Sequence, residues 1–566
     1  MPSRVHVLVL RNPVARADHL RLVVRATLCT TQPLLVAGGR EAGIDAAPFQ
    51  DSANRYVLPG SGIAGALRAQ VAGQLDAFTG IASLFGDSAD HGASRLAIAD
   101  VLLTEVNTEL RDGVAIDRTT RAAAPGLKFD RQVIIPGARG TMLLTCDVAA
   151  NDAELWRQVG ADGVPVPAPL SSSPLVVFGL VVESMKESGL RLGSGTSRGQ
   201  GAVTFENWSG DAFELATKTG MLNLARTRIR SDPAAETVVS APRAVEANTK
   251  TPDDNAPDAV IESLLKVASL APGASRLAKH ADGVIEIGWE PRLPILVDSG
   301  VAGSQVDRWP LVVARGSRGE EQAFAVLPAT SIKGALRSRA EWIVRTAAKV
   351  DCADDQPPLP LVTTLFGSGG SGRRGARRGA LRFWDCEAPL VATVPGADSQ
   401  KGVKAEAWYA IAGAPSEDDD MKVAEAAQAL TGAGLSTFTP RAHVAIDRWT
   451  GGAAESRLWS EVEPWGLTWG AIRIDLETHR VPSDERAACA ALLLLLLEDL
   501  VQGEISFGGR STRGYGSIQV NTTNISNLAG LDPALSDGEH TSGLLTGLSA
   551  EARARLAKAF VEKVDD

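Results

Sequence analysis

The sequence predicts an α+β protein made of two tandem copies of one β-α-β-β-α-β unit, the order of ferredoxin-like (RRM-like) domains. Two observations predict this fold class. Four short motifs occur twice in the same order, and the apolar and turn-forming segments between them follow the same succession in each copy. The 566 residues also suit two or three domains of ordinary size.

The repeated motifs organise the chain. Each has one copy in each half: Leu58-Pro-Gly-Ser-Gly-Ile-Ala-Gly-Ala-Leu-Arg68 with Leu327-Pro-Ala-Thr-Ser-Ile-Lys-Gly-Ala-Leu-Arg337, Leu84-Phe-Gly86 with Leu365-Phe-Gly367, Val114-Ala-Ile-Asp-Arg-Thr-Thr120 with Val444-Ala-Ile-Asp-Arg-Trp-Thr450, and Ser197-Arg-Gly-Gln-Gly201 with Thr512-Arg-Gly-Tyr-Gly516. Four ordered matches by chance are implausible, so we interpret the chain as an internal duplication.

Hydrophobic periodicity and turn residues predict the elements of each copy. In the first copy they are a strand at 20–36, a helix at 61–74, strands at 95–103 and 141–148, a helix at 174–188 and a strand at 202–205. In the second copy they are a strand at 285–297, a helix at 331–347, strands at 380–385 and 468–477, a helix at 483–502 and a strand at 517–520. The segment 230–257, rich in Pro, Ala and acidic residues, predicts a mobile linker. A helix at 549–564 is expected either to complete the fold or to dock on a partner.

Composition excludes several classes of protein. No apolar run reaches the roughly 20 residues that a membrane span needs. The five cysteines are scattered, without a CxxC pair or Cys/His spacing suited to zinc, which predicts a cytoplasmic protein without a structural metal. The net charge of −10 argues against nucleic-acid binding only weakly, because basic and acidic residues are clustered separately.

Two kinds of motif are suited to anions. In the glycine-rich turns, backbone N–H groups can approach a phosphate closely, and an arginine can bind it with two hydrogen bonds. The Leu-Pro turns begin a helix, where free N–H groups and hydroxyls attract anions, although helix capping alone would also explain a Ser or Thr there. These motifs predict a set of RNA-binding residues: Arg198, Arg510 and Arg513 in the turns, and Ser61, Arg68, Thr330, Ser331, Lys333 and Arg337 in the helices. Ala64 stands where the second copy has Lys333, so the first copy is expected to bind RNA less tightly there.

The Asp-Arg pairs lie in polar segments between two strands. Such a pair is usually an ordinary turn or ion pair. Here Asp117-Arg118 and Asp447-Arg448 are followed at the same offset by aromatic residues, Phe129 and Trp459. This recurrence suggests projecting hairpins with an aromatic tip, which could stack on bases.

Together these motifs resemble the RAMP superfamily, specifically the repeated backbone subunits of type III CRISPR effectors, over residues 20–210 and 285–522. The resemblance implies two ferredoxin-like palm domains with protruding thumbs. It implies a subunit that lines up along a guide (CRISPR) RNA with other effector subunits and displaces a base of the guide–target duplex at each thumb. The implied domains are 1–213 with a thumb at about 105–140, a linker at 214–284, 285–522 with a thumb at about 386–466, and a tail at 523–566.

The resemblance further implies cleavage of the bound single-stranded target RNA by a loop aspartate with a divalent metal ion, which family analogy gives as Mg²⁺. Asp45 occupies the family's place in the first copy. Asp307 fits the same local rule in the second, where the loop is longer, and Asp298 is the alternative. Attack by the RNA's own 2′-OH would give a 2′,3′-cyclic phosphate and a 5′-OH. Two other interpretations stay open: a non-catalytic RNA-binding scaffold, and a guide-processing endonuclease, which the absence of histidine from both loops disfavours.

Overall fold

The computed structural model describes most of the chain: residues 19–41, 43–74, 80–86, 93–117, 123–160, 173–230, 259–269, 283–300, 306–316, 319–350, 359–369, 377–393, 400–414, 422–541 and 543–565. The first half contains strands β1 (Leu20–Thr30), β2 (Ala37–Glu41), β3 (Ile44–Pro48), β4 (Val57–Leu58), β5 (Leu96–Ile98), β6 (Val101–Thr104), β7 (Thr108–Ile116), β8 (Ala123–Ile134), β9 (Arg139–Val148), β10 (Leu190–Arg191) and β11 (Ala202–Glu214). Its helices are α1 (Gly60–Gln74), α2 (Ile81–Phe85), α3 (Ala150–Gly160), α4 (Pro174–Ser188), α5 (Lys218–Arg230) and α6 (Ala259–Ala268).

The second half repeats this plan with additions. Its strands are β12 (Gly283–Pro291), β13 (Val312–Arg315), β14 (Gln322–Leu327), β15 (Gly367–Ser368), β16 (Arg377–Arg378), β17 (Leu381–Phe383), β18 (Cys386–Pro389), β19 (Val391–Thr393), β20 (Gln400–Gly402), β21 (Phe438–Ile446), β22 (Ala453–Pro464), β23 (Ile472–Leu476), β24 (Ile518–Ser526) and β25 (Gly538–His540). Its helices are α7 (Ala329–Ala348), α8 (Pro360–Phe366), α9 (Ala405–Ala412), α10 (Lys422–Gly432), α11 (Arg486–Val501), α12 (Leu544–Gly547) and α13 (Ala550–Asp565).

Each half is built on an antiparallel sheet in which four equivalent strands have the same order. In the first sheet the order is β10-β11-β1-β9-β6-β4, with β5 also paired to β9; in the second it is β17-β23-β12-β24-β25. In both, the first long strand lies between the closing strand and the strand that follows the hairpin. The fold is therefore mixed α+β, compatible with the ferredoxin-like folds of the sequence expectation.

Two apolar helices cover each sheet and close its core. In the first half α1 contributes Ile63 and Leu67, while α4 is buried on nearly all sides. In the second half α7 and α11 take these places, and the leucine-rich α11 is also apolar all round. A helix that is apolar on every face must be covered on every face, so both α4 and α11 need a further neighbour.

That neighbour is a helix that follows the closing strand in each half. Helix α6 covers α4 through Ile261 and Leu264, and an added Cβ at Gly179 of α4 would lie only 2.6 Å from the carbonyl oxygen of Leu264. Helix α13 covers α11 with Leu556 and Phe560. Of the two roles considered for the C-terminal helix, the structure supports completion of the fold.

The segment predicted as a linker differs from expectation. Residues 214–284 contain α5 and α6, and α6 belongs to the first core because its apolar face is buried there. The segment 214–284 is therefore helical in part and not a linker throughout. The prediction of mobility at 230–257 falls almost wholly outside the described residues. None of the described helices has the length and apolarity needed to cross a bilayer.

Both predicted thumb segments contain a two-stranded hairpin. Strands β7 and β8 form the first hairpin, and β21 and β22 form the second, with a register shift at the same place, between Val114 and Ile116 and between Val444 and Ile446. The segment 386–466 is larger because it adds α9, α10 and a small core around Trp309, Trp408 and Phe438. These hairpins extend from the sheets and bound the candidate site.

Candidate functional site

The two halves meet at the glycine-rich turn of the first half, residues 193–201. Arg198 of this first glycine turn forms a parallel bridge with Phe383 of the second half. Gly199 is buried at the start of α7, with φ +74°; a Cβ there would lie 2.5 Å from Cβ of Ala329 and 2.7 Å from Oδ1 of Asp385. Glycine is required at 199 both for its conformation and for this close approach. We call this contact the junction.

Cations without a matching carboxylate gather at the junction. Lys333 Nζ donates a 3.0 Å hydrogen bond to Ser197 Oγ. Burial lowers the pKa of Lys333 to about 8, assisted by the positive charges of Arg198, Arg337 and Arg378. Burial also lowers the pKa of Arg198. Among the described residues, no carboxylate pairs with Lys333 or Arg198. Half-buried cations without a counter-ion are the electrostatic requirement of an anion site.

The helix N-termini differ from the predicted anion sites. Asp385 Oδ1 accepts the N–H of Ala329 at 2.9 Å, and Asp100 Oδ1 accepts the N–H of Gly60 at 2.7 Å in the first half. These carboxylates occupy the place expected for a phosphate, so the prediction for the very start of each helix is wrong. Ser61 and Thr330 are exposed, and Ser331 is half-buried. Contact with an anion falls instead to Lys333, one turn further along.

Some predicted RNA-binding arginines have structural partners. Arg337 donates to Glu341 Oε1 at 2.7 Å and to the carbonyl oxygen of Gly367 at 2.8 Å, which ties α7 to the Leu-Phe-Gly motif. Arg510 donates to Glu461 Oε1 at 2.5 Å. Arg68 and Arg513 are exposed. The structure thus singles out Lys333 and Arg198 as the cations that face each other at the junction.

Asp45 and Asp307 occupy equivalent places. Asp45 Oδ2 accepts the backbone N–H of Asp130 at 3.1 Å. Asp307 Oδ2 accepts the N–H of Ser460 at 2.7 Å and lies 3.1 Å from its hydroxyl. Asp130 and Ser460 each follow the hairpin aromatic, so both carboxylates lie against the second strand of their hairpin at the same position. The alternative, Asp298, instead accepts the N–H of Gly300 within its own loop at 3.0 Å.

Arg131, whose backbone pairs with Ala46 beside Asp45, is a further cation near the first glycine turn and was not foreseen from the sequence. Its guanidinium lies 4.5 Å from the ring centroid of Phe129. Burial and the positive charge of Arg198 lower the pKa of Arg131, and Asp45 acts in the opposite direction. The equivalent position in the second hairpin is Glu461. There, Arg510 and Arg513 lie 5.4 and 5.1 Å from the Trp459 ring.

The hairpin aromatics are not at the tips, so that prediction is wrong. Phe129 faces Gly113, and Trp459 stacks on His443 with 5.6 Å between centroids. The exposed aromatic near the second tip is Trp449, with 96% of its surface accessible. The sequence contained a signal for this residue, because the two Asp-Arg motifs differ only at the position that Trp449 occupies in the second copy.

The Asp-Arg motifs shape the tips. Asp447 Oδ1 accepts the N–H groups of Trp449 at 2.9 Å and Thr450 at 2.8 Å, and these hydrogen bonds lower the pKa of Asp447. This is a turn-forming role. Arg448 is exposed, Asp117 is half-buried, and Arg118 lies outside the described residues.

The donors near Asp45 suit a hard divalent cation better than those near Asp307. The pKa of Asp130 is raised by a hydrogen bond to the carboxyl of Asp112, with further contributions from burial and Asp45. Lys128 Nζ lies 2.8 Å from Asp112 Oδ2. Oxygen donors of this kind are those that Mg²⁺ prefers. In the second half, Ser460 and Ala442 stand where the first half has Asp130 and Asp112.

A second cluster of residues that could bind a metal ion is already paired with other protein side chains. Within the described residues, His443, Glu461 and Glu463 form the cluster whose donor atoms lie within 4.8 Å of one another. Arg510 bonds to Glu461, and Glu463 accepts from Trp465 Nε1 at 2.9 Å and from the hydroxyl of Tyr515, with Arg441 3.0 Å away. Two guanidinium groups already balance the two carboxylates, so this cluster is explained as an ion-pair network.

Comparison with protein families agrees with the motif evidence. The sequence model of the RAMP superfamily matches residues 27–204 and 310–519, one region in each half and more than half of the chain. No curated protein matches the chain. RAMP proteins are commonly CRISPR-associated and bind RNA, which suits an anion site at the junction. This chain belongs to the RAMP superfamily.

Proposed function

We propose that this chain is a backbone subunit of a type III CRISPR effector complex, which binds a guide RNA and cleaves the complementary target RNA. One observation carries the proposal. Each half holds one aspartate, Asp45 or Asp307, in the same place against the second strand of a projecting hairpin. Each of these strands also approaches an arginine of a glycine-rich turn, Arg198 in the first half and Arg513 in the second.

The junction supports RNA binding. Lys333 and Arg198 come from different halves; each is partly shielded from water, and neither pairs with a carboxylate in the part of the chain that the structure describes. A backbone phosphate would restore that lost interaction and would accept from Ser197 as well. Because the site is formed by both halves, a guide bound there would run from one ferredoxin-like palm to the next, with the hairpins as thumbs.

Cleavage would need little beyond positioning. The hairpin would splay the target strand so that a 2′-OH lies in line with the adjacent phosphate. The aspartate would accept the 2′-OH proton as the 2′-oxygen bonds to phosphorus. The bond to the 5′-oxygen would then break, leaving a 2′,3′-cyclic phosphate and, once protonated, a 5′-OH. Arg131 would hold the phosphate near Asp45.

A divalent ion such as Mg²⁺ would be held in the first half by Asp45 and Asp130. When bound, it would neutralise negative charge that develops on the phosphate. The second half offers a serine in place of Asp130, so cleavage at Asp307 is expected to need a higher Mg²⁺ concentration.

A non-catalytic scaffold is the competing function, and one observation favours it. The carboxylates of Asp45 and Asp307 tie their loops to the hairpins, which would be useful without any chemistry. The two roles differ in what an asparagine can do. Its amide oxygen still accepts the backbone N–H, but it can neither take a proton nor supply a charged metal ligand.

The test is to purify the chain with its RNA, sequence that RNA, and add a labelled complementary target. Wild type should cut the target at fixed positions. Asp45→Asn should lower one of these cuts by at least about 100-fold, as expected for loss of a general base, while guide binding and the melting temperature stay unchanged. If Asp45→Asn cuts like wild type and Asp45→Ala only loses stability, the scaffold function is correct.

A further inference from the structure

The two aspartate sites differ in the residue that follows the aspartate and in the residue opposite it. The residue after the aspartate is Ala46 in the first half and Arg308 in the second. Ala46 forms a parallel bridge with Arg131, and Arg308 forms one with Glu461. These bridges are equivalent, because each aspartate accepts the backbone N–H of the residue just before the bridged one. The first half therefore carries its arginine on the hairpin, whereas the second half carries one on the loop.

The glycine-rich turns differ at one position of the same sites. The N–H of Arg198 donates to the carbonyl oxygen of Gly195 at 2.7 Å, and that of Arg513 donates to Arg510 at 2.8 Å, so Gly195 and Arg510 correspond. Both have a left-handed backbone, with φ +72° and +63°. This conformation is strained for arginine and not for glycine. The strain at Arg510 is offset by its ion pair with the buried Glu461.

That ion pair neutralises Glu461 and leaves Arg308 in excess. Glu461 is fully buried, and its Oε1 accepts from Arg510 Nη1 at 2.5 Å. Burial raises the pKa of Glu461, and the charges of Arg510 and Arg308 oppose that rise, so Arg308 belongs to the same site. The second buried carboxylate, that of Glu463, lies 3.0 Å from Arg441. Each buried carboxylate thus has an arginine of its own besides Arg308.

Arg308 is accessible to a ligand. Its side chain is 49% exposed, and within the described residues its ion pair is with Asp298, with 3.7 Å between Nε and Oδ2. An exposed ion pair of this kind contributes at most about 1 kcal/mol, so it competes weakly with a phosphate. Arg131 resembles Arg308 in this respect, because no carboxylate of the described part of the chain forms an ion pair with it. Each site therefore has one arginine beside its aspartate that a phosphate can reach.

We propose that Arg308 binds the scissile phosphate at Asp307, as Arg131 would at Asp45, an inference that rests on the proposed cleavage of target RNA. The planar guanidinium suits two hydrogen bonds to the non-bridging oxygens. As the 2′-oxygen bonds to phosphorus and gives its proton to Asp307, negative charge develops on those oxygens, and Arg308 stabilises it. The 5′-oxygen leaves with its electron pair and takes a proton from water.

The test measures the single-turnover rate of each cut, using the full-length chain with its guide RNA at a Mg²⁺ concentration at which wild type makes both cuts. Arg308→Ala introduces the residue that the first half has there, so this variant should fold and bind guide like wild type. The cut that depends on Asp307 should slow by about 100-fold, as expected for loss of one group that stabilises transition-state charge. The cut that depends on Asp45 should keep its rate. Millimolar guanidinium chloride should restore part of the lost rate, and the same concentration of sodium chloride should not.

A second variant moves the arginine to the place that it has in the first half. Arg308→Ala combined with Glu461→Arg and Arg510→Gly reproduces the first-half set, and glycine suits the φ of +63° at 510. This variant should recover at least about tenfold of the rate lost in Arg308→Ala, because a guanidinium again meets the phosphate. Arg553→Ala, which removes an exposed arginine of α13, is the control and should change neither cut.

Two results would overturn the role of Arg308. One is a wild-type rate for the Asp307 cut in Arg308→Ala. The other is a loss of that cut which neither guanidinium nor the transferred arginine restores, since a purely structural contribution of Arg308 would behave in this way. Wild type that binds guide and target without cutting would instead contradict the proposed cleavage itself.

Discussion

At the scale of residues, two loops that differ in structure hold the carboxylates of Asp45 and Asp307 at equivalent positions. Asp45 lies in β3 of the short hairpin of β2 and β3, whereas Asp307 precedes a longer stretch that leads to the Leu-Pro motif and contains the buried Trp309. Both carboxylates nevertheless accept the N–H after the hairpin aromatic. The local rule, an acid after an apolar residue and shortly before proline, selected structurally equivalent positions in the two loops, because that hydrogen bond fixes each residue relative to its hairpin.

Lys333 gives a prediction at this scale. In the RNA-free protein its pKa is about 8, so the proton is lost as pH rises through 8. A bound phosphate favours the charged form, so RNA affinity should fall from pH 7 to pH 9. Lys333→Met should remove this pH dependence and lower the salt slope of binding by about 0.7. Fluorescence anisotropy with single-stranded RNA at several pH values and salt concentrations measures both effects.

Arg68→Met is the matched control, because Arg68 lies one turn further along α1 than Ala64 and is exposed. It should keep the pH dependence of the wild type. A pH profile unchanged by Lys333→Met would show that this amine does not meet the RNA.

At the scale of elements, the hairpins have a structural base and an exposed end. Below the tips, Phe129 interacts with Arg131 of its own strand, whereas Trp459 interacts with Arg510 and Arg513 of the second glycine-rich turn. In the second hairpin the exposed apolar residues Ile446 and Leu458 lie further out, with Trp449 at the turn. A ring free of protein contacts is the one that can stack on a base.

Trp449 should therefore separate bases of a guide–target duplex. Stacking on an aromatic ring contributes about 1–3 kcal/mol per base, so Trp449→Ala should reduce base displacement beside the second hairpin. A 2-aminopurine placed along the target would show this as lower fluorescence at one position. Trp342→Ala, on α7 and half exposed, should leave the fluorescence unchanged; equal loss in both variants would refute a local role of the tip.

The helix caps give a prediction for stability. Asp385→Ala removes the cap of α7 and leaves the buried Arg111 without one of its two carboxylates. Breaking a buried pair costs about 3–5 kcal/mol. Asp100→Ala removes only a cap, which costs about 1 kcal/mol. Urea unfolding of the two RNA-free variants should show this difference; equal losses would mean that the Arg111 pair adds nothing.

At the scale of the whole molecule, two aspartates at equivalent places predict two cuts in one target, separated by the spacing between the units. Asp307→Asn should remove the cut that Asp45→Asn spares, and the double variant should remove both. Mapping the 5′ ends of a labelled target at high and low Mg²⁺ checks this. The Asp307 cut should be lost first as Mg²⁺ falls. If Asp307→Asn abolishes all cutting and Asp45→Asn abolishes none, Asp307 and not Asp45 is the more active of the two aspartates.

The sequence by itself determined the duplication, the α+β class and most element positions, because hydrophobic periodicity and turn residues are local properties. Helix α4 was predicted at 174–188 and occupies Pro174–Ser188. The sequence also singled out Asp45, Asp307, Lys333 and Arg198 as candidate site residues. Only the tertiary structure decided which of these meet. Lys333 and Ser197 are 136 residues apart, and their contact depends on how the halves pack. The same packing gave Asp100 and Asp385 their capping roles, placed α6 in the first core, and showed Trp449 as the exposed aromatic, since exposure depends on neighbours distant in sequence.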